Sequence, residues 1–140
     1  MHHNKKILHV EDNAADVALT KVALEELNIL SEHIHLADGQ ELINYLKANS
    51  FQDIGIILLD LNMPKMSGLE VLKFFYKDNE LKKLPVVVFS SSDQEIDVRS
   101  CYDFGANAYV RKPINYNDYN RTLSAIARFW LEANVFPVFD

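Results

Sequence analysis

Five short apolar runs punctuate the chain: ILHV (Ile7 to Val10), IHLA (Ile34 to Ala37), IGIILL (Ile54 to Leu59), VVVF (Val86 to Phe89) and AYV (Ala108 to Val110). The third and fourth are apolar without alternation, the pattern of strands buried on both faces of a sheet. Longer segments of helical period lie between the runs, and helix-start signals recur at their beginnings. Asp38 with Glu41, Ser67 with Glu70, and Ser92 with Glu95 have capping-box spacing, in which a side-chain oxygen caps the first turn and the Glu reaches back. Asn13 with Asp16 and Asn115 with Asp118 are weaker versions. Gly105 follows the fourth helical segment where a left-handed cap belongs. Strand alternating with helix, five times over, predicts a doubly wound α/β fold: a parallel five-stranded sheet covered on both faces, joined by right-handed crossovers.

Against that pattern the misplaced polar residues stand out. Glu11 and Asp12 follow the first run, Asp60 the third, Ser90 the fourth, and Lys112 the fifth, just after Tyr109. All lie at strand carboxyl ends, outside which an open doubly wound sheet binds its ligands near the point where strand order reverses. With strand order 2-1-3-4-5, strands one and three are neighbours there. Glu11, Asp12 and Asp60 then share one acidic pocket flanked by Ser90 and Lys112. Three carboxylates that close repel one another unless a cation sits among them. An all-oxygen pocket suits Mg²⁺, with Mn²⁺ as a substitute. A lysine and a serine hydroxyl beside it suit a phosphoryl group. These are the parts of phosphoryl transfer, and with no histidine or cysteine nucleophile at the pocket, Asp60 is the candidate acceptor.

Composition narrows the setting. The 140 residues show no internal break, which predicts one domain spanning 1–140, and 49% hydrophobic against 24% charged content is that of a globular chain. A net charge of -6 without a basic stripe argues against nucleic acid as a direct partner. The single cysteine, Cys101, excludes an internal disulfide and fits a reducing compartment. The opening MHHNKKILHVED reaches acids at once and reads as neither a secretory signal nor a membrane span, and His2 and His3 are too few for a tag. A cytoplasmic protein without membrane contact is expected.

VED at Val10 to Asp12, LLDLNMPKMSG at Leu58 to Gly68, FSSS at Phe89 to Ser92 and AYVRKP at Ala108 to Pro113 together resemble a response-regulator receiver domain over nearly the whole chain. DLNMPKMSG, CYDFGANAYVRKP and ARFWLEANVFP are most similar to the single-domain regulators paired with bacterial phytochrome histidine kinases. The resemblance implies a flavodoxin-like fold in which Asp60 accepts a phosphoryl group from a sensor histidine kinase, of phytochrome type in the subfamily it is most similar to, or from a small donor. It implies that Asp12 ligates Mg²⁺ directly, Glu11 directly or through water, and Asn62 through its backbone carbonyl. Lys112 would contact the phosphoryl group, ahead of a cis Pro113, and Ser90 and Tyr109 would form the switch pair. Asn62 and Ser92 match positions that tune autodephosphorylation.

The expected function is therefore a stand-alone response regulator, without an output domain, that catalyses its own aspartyl phosphorylation and dephosphorylation and acts through an unknown downstream protein. A phosphate sink or relay, or a phosphate-independent interaction module, are the alternatives. An aspartyl-nucleophile phosphatase would want a second acid where Asn62 stands, and an FMN binder would not place Glu11 and Asp12 where the phosphate docks. Simpler readings compete at several residues. Ser92 can serve only as a helix cap, and Tyr109 only as a half-buried aromatic. His33 and His35 share one strand face, fitting a solvated edge better than a zinc site with no third ligand, and His9 belongs to a core strand. Cys101 reads as a small, at least half-buried hydrophobe. Tyr119, Leu123, Ile126 and Trp130 recur at helical spacing and should face inward from the fifth helix, with Phe129 and Leu131 to either side. The apolar tail, residues 134–140, either folds back on its own domain or pairs with a second subunit; the resemblance favours a homodimer through the fourth helix, fifth strand and fifth helix.

Overall fold

The computed structural model describes residues 5–139; His2 and His3 lie outside the described residues. Its five strands are β1 (Lys5–Val10), β2 (Ser31–Leu36), β3 (Ile54–Leu59), β4 (Val86–Ser90) and β5 (Ala108–Arg111). They form one parallel sheet in the order β2-β1-β3-β4-β5, as the hydrophobic runs and the strand-end residues predict. β2 begins at Ser31, earlier than its apolar run, because its backbone pairs with β1 from Lys5 onward. The helices are α1 (Ala14–Glu25), α2 (Gly39–Ala48), α3 (Gly68–Tyr76), α4 (Glu95–Asp103) and α5 (Tyr116–Arg128).

Side chains alternate along each strand, so β1 sends Leu8 and Val10 to one face and Ile7 and His9 to the other. The first face buries Leu8, Val10, Ile57, Leu59 and Val88 with Leu42, Leu46, Val71, Leu72 and Phe75 of α2 and α3. The second packs Ile7, Ile56, Leu58, Val87 and Phe89 against Ala23 and Leu24 of α1 and Tyr119, Leu123 and Ala127 of α5. β3 and β4 are buried at every residue, which is why their sequences do not alternate.

Local signals account for most helix ends. Ser67 and Glu70 form a complete capping box, Asp38 accepts from the Glu41 N–H, and Asn13 and Asn115 accept from Asp16 and Asp118. Gly105 has φ 89° and closes α4 with paired bonds from its own N–H to Tyr102 and from the Ala106 N–H to Cys101. α4 corrects one expectation. It starts after Gln94, and Ser92 lies outside the helix, donating to Asp97 Oδ2 and accepting from the Gln94 N–H at 3.3 Å. Ser92 thus bridges a loop to the helix rather than capping it.

The end of α5 corrects another. Phe129–Ala133 widens into a π-helical turn, closed by the Asn134 N–H on the Phe129 carbonyl at 2.7 Å. The extra residue brings Leu131 onto the sheet against Gly55, where a regular helix would turn it aside, while Trp130 stays half-buried beside it and Phe129 faces solvent. The tail then folds back on its own domain. Phe136 lies under the Lys5 ammonium, 4.4 Å from Nζ to the ring centroid, and Phe139 meets Phe51 edge-on at 5.7 Å. Val135 and Val138 remain exposed.

Candidate functional site

The reversal of strand order falls between β1 and β3, and the backbone there is tightly laced: the Asp60 N–H donates to Val10 and the Glu11 N–H to Leu36, both at 3.0 Å. The first bond brings the ends of β1 and β3 side by side, and the second ties the end of β1 to β2. Glu11, Asp12 and Asp60 each offer a carboxylate oxygen, and the three lie within 4.8 Å of one another. Glu11 and Asp60 are buried and Asp12 is exposed, so the cluster is open on one side. Gly68 makes the loop after Asp60 possible. A Cβ there would strike the Asp60 carbonyl oxygen and come 2.9 Å from the Leu61 Cα. Within that loop Lys65 takes a left-handed φ of 63° and lies 3.8 Å from the Asp38 carboxylate.

Lys112 enters from β5, whose end is tied to β4 by the Lys112 N–H on the Ser90 carbonyl at 2.8 Å. Its Nζ donates to Glu11 Oε1 at 2.5 Å and to Asp16 Oδ2 at 2.9 Å, and stands 3.6 Å from Asp60 Oδ1. Burial disfavours the ammonium, but its bonds to Glu11 and Asp16 more than offset this and hold the pKa above the ordinary lysine range. Asp60 responds in the opposite sense. Burial and the Glu11 charge push its pKa up to about 7, against the pull of Lys112. A partly buried set of oxygen donors carrying excess negative charge fits a divalent cation, which would relieve that repulsion.

The Lys112–Pro113 peptide is trans, contrary to the expected cis bond; an X-Pro amide prefers trans by about 0.5–1 kcal/mol unless its surroundings favour the other isomer. Ser90 is buried, its hydroxyl accepting from the Ser92 N–H at 3.2 Å. The Tyr109 hydroxyl donates to the Ser92 carbonyl at 2.9 Å, so the aromatic of β5 is anchored to the loop after β4. Asn62 is exposed two residues beyond Asp60.

The sequence pattern missed two groups. Asp16 stood only as the partner of the Asn13 cap, yet it holds Lys112; an acid four residues past Asp12 on the first turn of α1 was the available signal. His9 is the second. Its Nδ1 lies 3.1 Å from His33 Nε2, and His35 Nε2 lies 2.6 Å from the Glu11 carbonyl oxygen. Burial drives the His9 pKa down to about 3, so a neutral His9 imidazole meets His33 and joins β1 to β2. His35 sits on the solvated edge as expected.

Residues 7–124 match the family described as the response regulator receiver domain. The chain belongs to that family. The receiver is 37% identical over 137 residues to response regulator Rcp1 of Synechocystis sp., covering 95% of this chain and 93% of that one. A crystal structure of the Mn²⁺-bound form of Rcp1 superposes with a TM-score of 0.87, covering 96% of this chain and 99% of that one. The phosphorylated cyanobacterial phytochrome response regulator RcpA superposes at 0.90 with 37% identity, covering 97% and 100%. Among curated relatives, a probable methanogenesis regulatory protein, FilR2 of Methanothrix harundinacea, is 35% identical over 94% of this chain and 86% of its own. The receiver is thus of the response-regulator class that works by phosphoryl-transfer signalling.

Proposed function

We propose that Asp60 is the phosphoacceptor of a stand-alone switch. The observation that carries this reading is the convergence of Glu11, Asp12 and Asp60 within 4.8 Å, with the Lys112 ammonium 3.6 Å from Asp60. An ionised Asp60 oxygen attacks the phosphorus of a kinase phosphohistidine. The new O–P bond makes an acyl phosphate, and the P–N bond breaks with its electron pair left on the imidazole. Lys112 carries the positive charge that meets the transferred group. Asp12 directly, Glu11 directly or through water, Asp60 and the Asn62 carbonyl would hold Mg²⁺, with Mn²⁺ able to replace it. When bound, the ion neutralises the carboxylates and orients phosphoryl oxygens. Ser90 and Tyr109 would relay the change through the Ser92 loop, and Asn62 and Ser92 would set how readily water removes the phosphoryl group.

The likeness to Rcp1 and RcpA supports a phytochrome-type histidine kinase as donor. Exposed Ile96, Tyr102 and Tyr116 on α4 and α5 support a homodimer through that side as the output form. Among the described residues no helix is long and apolar enough to cross a membrane, and a lone buried thiol suits the cytoplasm. Intact mass after incubation with acetyl phosphate and Mg²⁺ tests the assignment: one phosphoryl adduct is expected on the wild type and none on Asp60→Asn or in EDTA. An adduct that survives in Asp60→Asn would refute it.

A further inference from the structure

Lys112 reaches three carboxylates, and one of them lies outside the Glu11–Asp12–Asp60 cluster. Asp16 stands on the first turn of α1, its Oδ2 2.9 Å from the ammonium, nearer than Asp60 at 3.6 Å. Its mount is firm. The Asp16 N–H donates to Asn13 Oδ1 at 3.1 Å, and its carbonyl accepts from the Tyr119 hydroxyl at 3.4 Å. Tyr119 is itself buried and paired with Thr20 Oγ1 at 3.0 Å. The Asp16 backbone is therefore held between α1 and α5, and its carboxylate meets the Lys112 ammonium at a shorter distance than Asp60 does.

We infer that Asp16 is a positioning residue: it holds the Lys112 ammonium to one side, leaving the Asp60 oxygens open to a divalent cation, and gives the lysine up when a phosphoryl-type anion forms on Asp60. The inference rests on the phosphoacceptor reading above. Its logic is competition for one cation. Without the Asp16 charge, the nearest remaining carboxylates of Lys112 are Glu11 and Asp60, and an ammonium settled between them covers oxygens a metal ion needs. Metal binding to the free pocket then weakens. Once a phosphoryl group is present the balance reverses, since Asp16 and that group contend for the same ammonium. Removing Asp16 then strengthens binding of the anion. A residue that merely stabilised the first turn of α1 would move neither affinity, or both in one direction.

The test uses the full chain with Asp16→Asn and Asp16→Glu, and calorimetric titration of Mg²⁺ followed by beryllofluoride at saturating Mg²⁺. Asp16→Asn is expected to weaken Mg²⁺ by about threefold and to tighten beryllofluoride by about three- to tenfold, the size of one partly screened charged contact. Asp16→Glu restores the charge and should return both affinities toward wild type. Should Asp16→Asn fail to fold, Asp16→Ser removes the same charge with a smaller side chain. Affinities that do not change, or that change in the same direction, overturn the inference while leaving Asp60 as acceptor. A wild type that binds Mg²⁺ but no beryllofluoride overturns the phosphoacceptor reading itself, and the inference with it.

Discussion

The two ends of the sheet are closed by opposite means. At the carboxyl ends of the strands, Glu11, Asp16 and Asp60 crowd around one ammonium, and the Asp60 pKa rises to about 7 through burial and the neighbouring Glu11 charge. At the amino ends, Leu131, Phe136 and Phe139 close over Gly55, Lys5 and Phe51, and the Lys5 ammonium lies over an aromatic face. The second end lowers the free energy of the fold as it stands. The first is held by the lacing of β1 to β3 against its own repulsion, and that tension is what a cation would relieve. The comparison separates a surface built for stability from one built for ligands.

Glycine substitutions probe the two ends most severely. Gly68→Ala drives a methyl into the Asp60 carbonyl and the Leu61 backbone, which cannot yield, and should cost about 3 kcal/mol in urea unfolding. Gly55→Ala places its methyl 2.5 Å from Leu131 Cδ2, the tip of a flexible side chain, and should cost about 1 kcal/mol, mostly by shifting the π-helical turn. A larger loss at Gly55 would break the contrast.

Asp60→Asn sharpens it. The Asp60 pKa is raised from 3.8 to about 7 on folding, so between those values the folded chain holds a proton that the unfolded chain releases. Its contribution to stability is thus unfavourable and grows as pH rises through that window. In EDTA at pH 8, Asp60→Asn should gain about 1–2 kcal/mol after allowance for solvent screening, and at pH 4 almost nothing. Saturating Mg²⁺ should shrink that gain in thermal melts. At the other end the expected sign is reversed. Phe139→Ala should lose about 1 kcal/mol at every pH, through its contact with Phe51. Lys5→Gln should lose about 0.5 kcal/mol, the worth of an exposed cation–π contact.

The sheet order and the acidic pocket were legible because each rests on a pattern of short range: an apolar run, then an acid or a lysine at its carboxyl end. Ser67 and Glu70 were legible for the same reason. What escaped depends on backbone geometry that periodicity does not encode. A regular 3.6-residue repeat puts Leu131 aside, and only the π-helical turn, five residues on from Ile126, brings it over Gly55. Ser92 and Glu95 have capping-box spacing, but the loop after β4 runs two residues longer and gives the Ser92 hydroxyl to Asp97. The His9–His33 pair joins residues 24 apart through strand register. Asp16 carried two meanings in one position, and the helix-start meaning hid the other.

The sheet also has two open margins, β2 and β5, and each is unsuited to recruiting another strand. β5 is only four residues long and ends in exposed Arg111, while β2 carries exposed Glu32 and His35 among its six residues. A long, flat, apolar margin is a template for fibril growth; short or charged ones are not. The most aggregation-prone stretches, IGIILL and VVVF, lie in β3 and β4 and are hydrogen-bonded on both sides. Clumping of this protein would therefore have to wait for the sheet to come apart, so its shelf life in solution should follow its rate of unfolding rather than its concentration while folded.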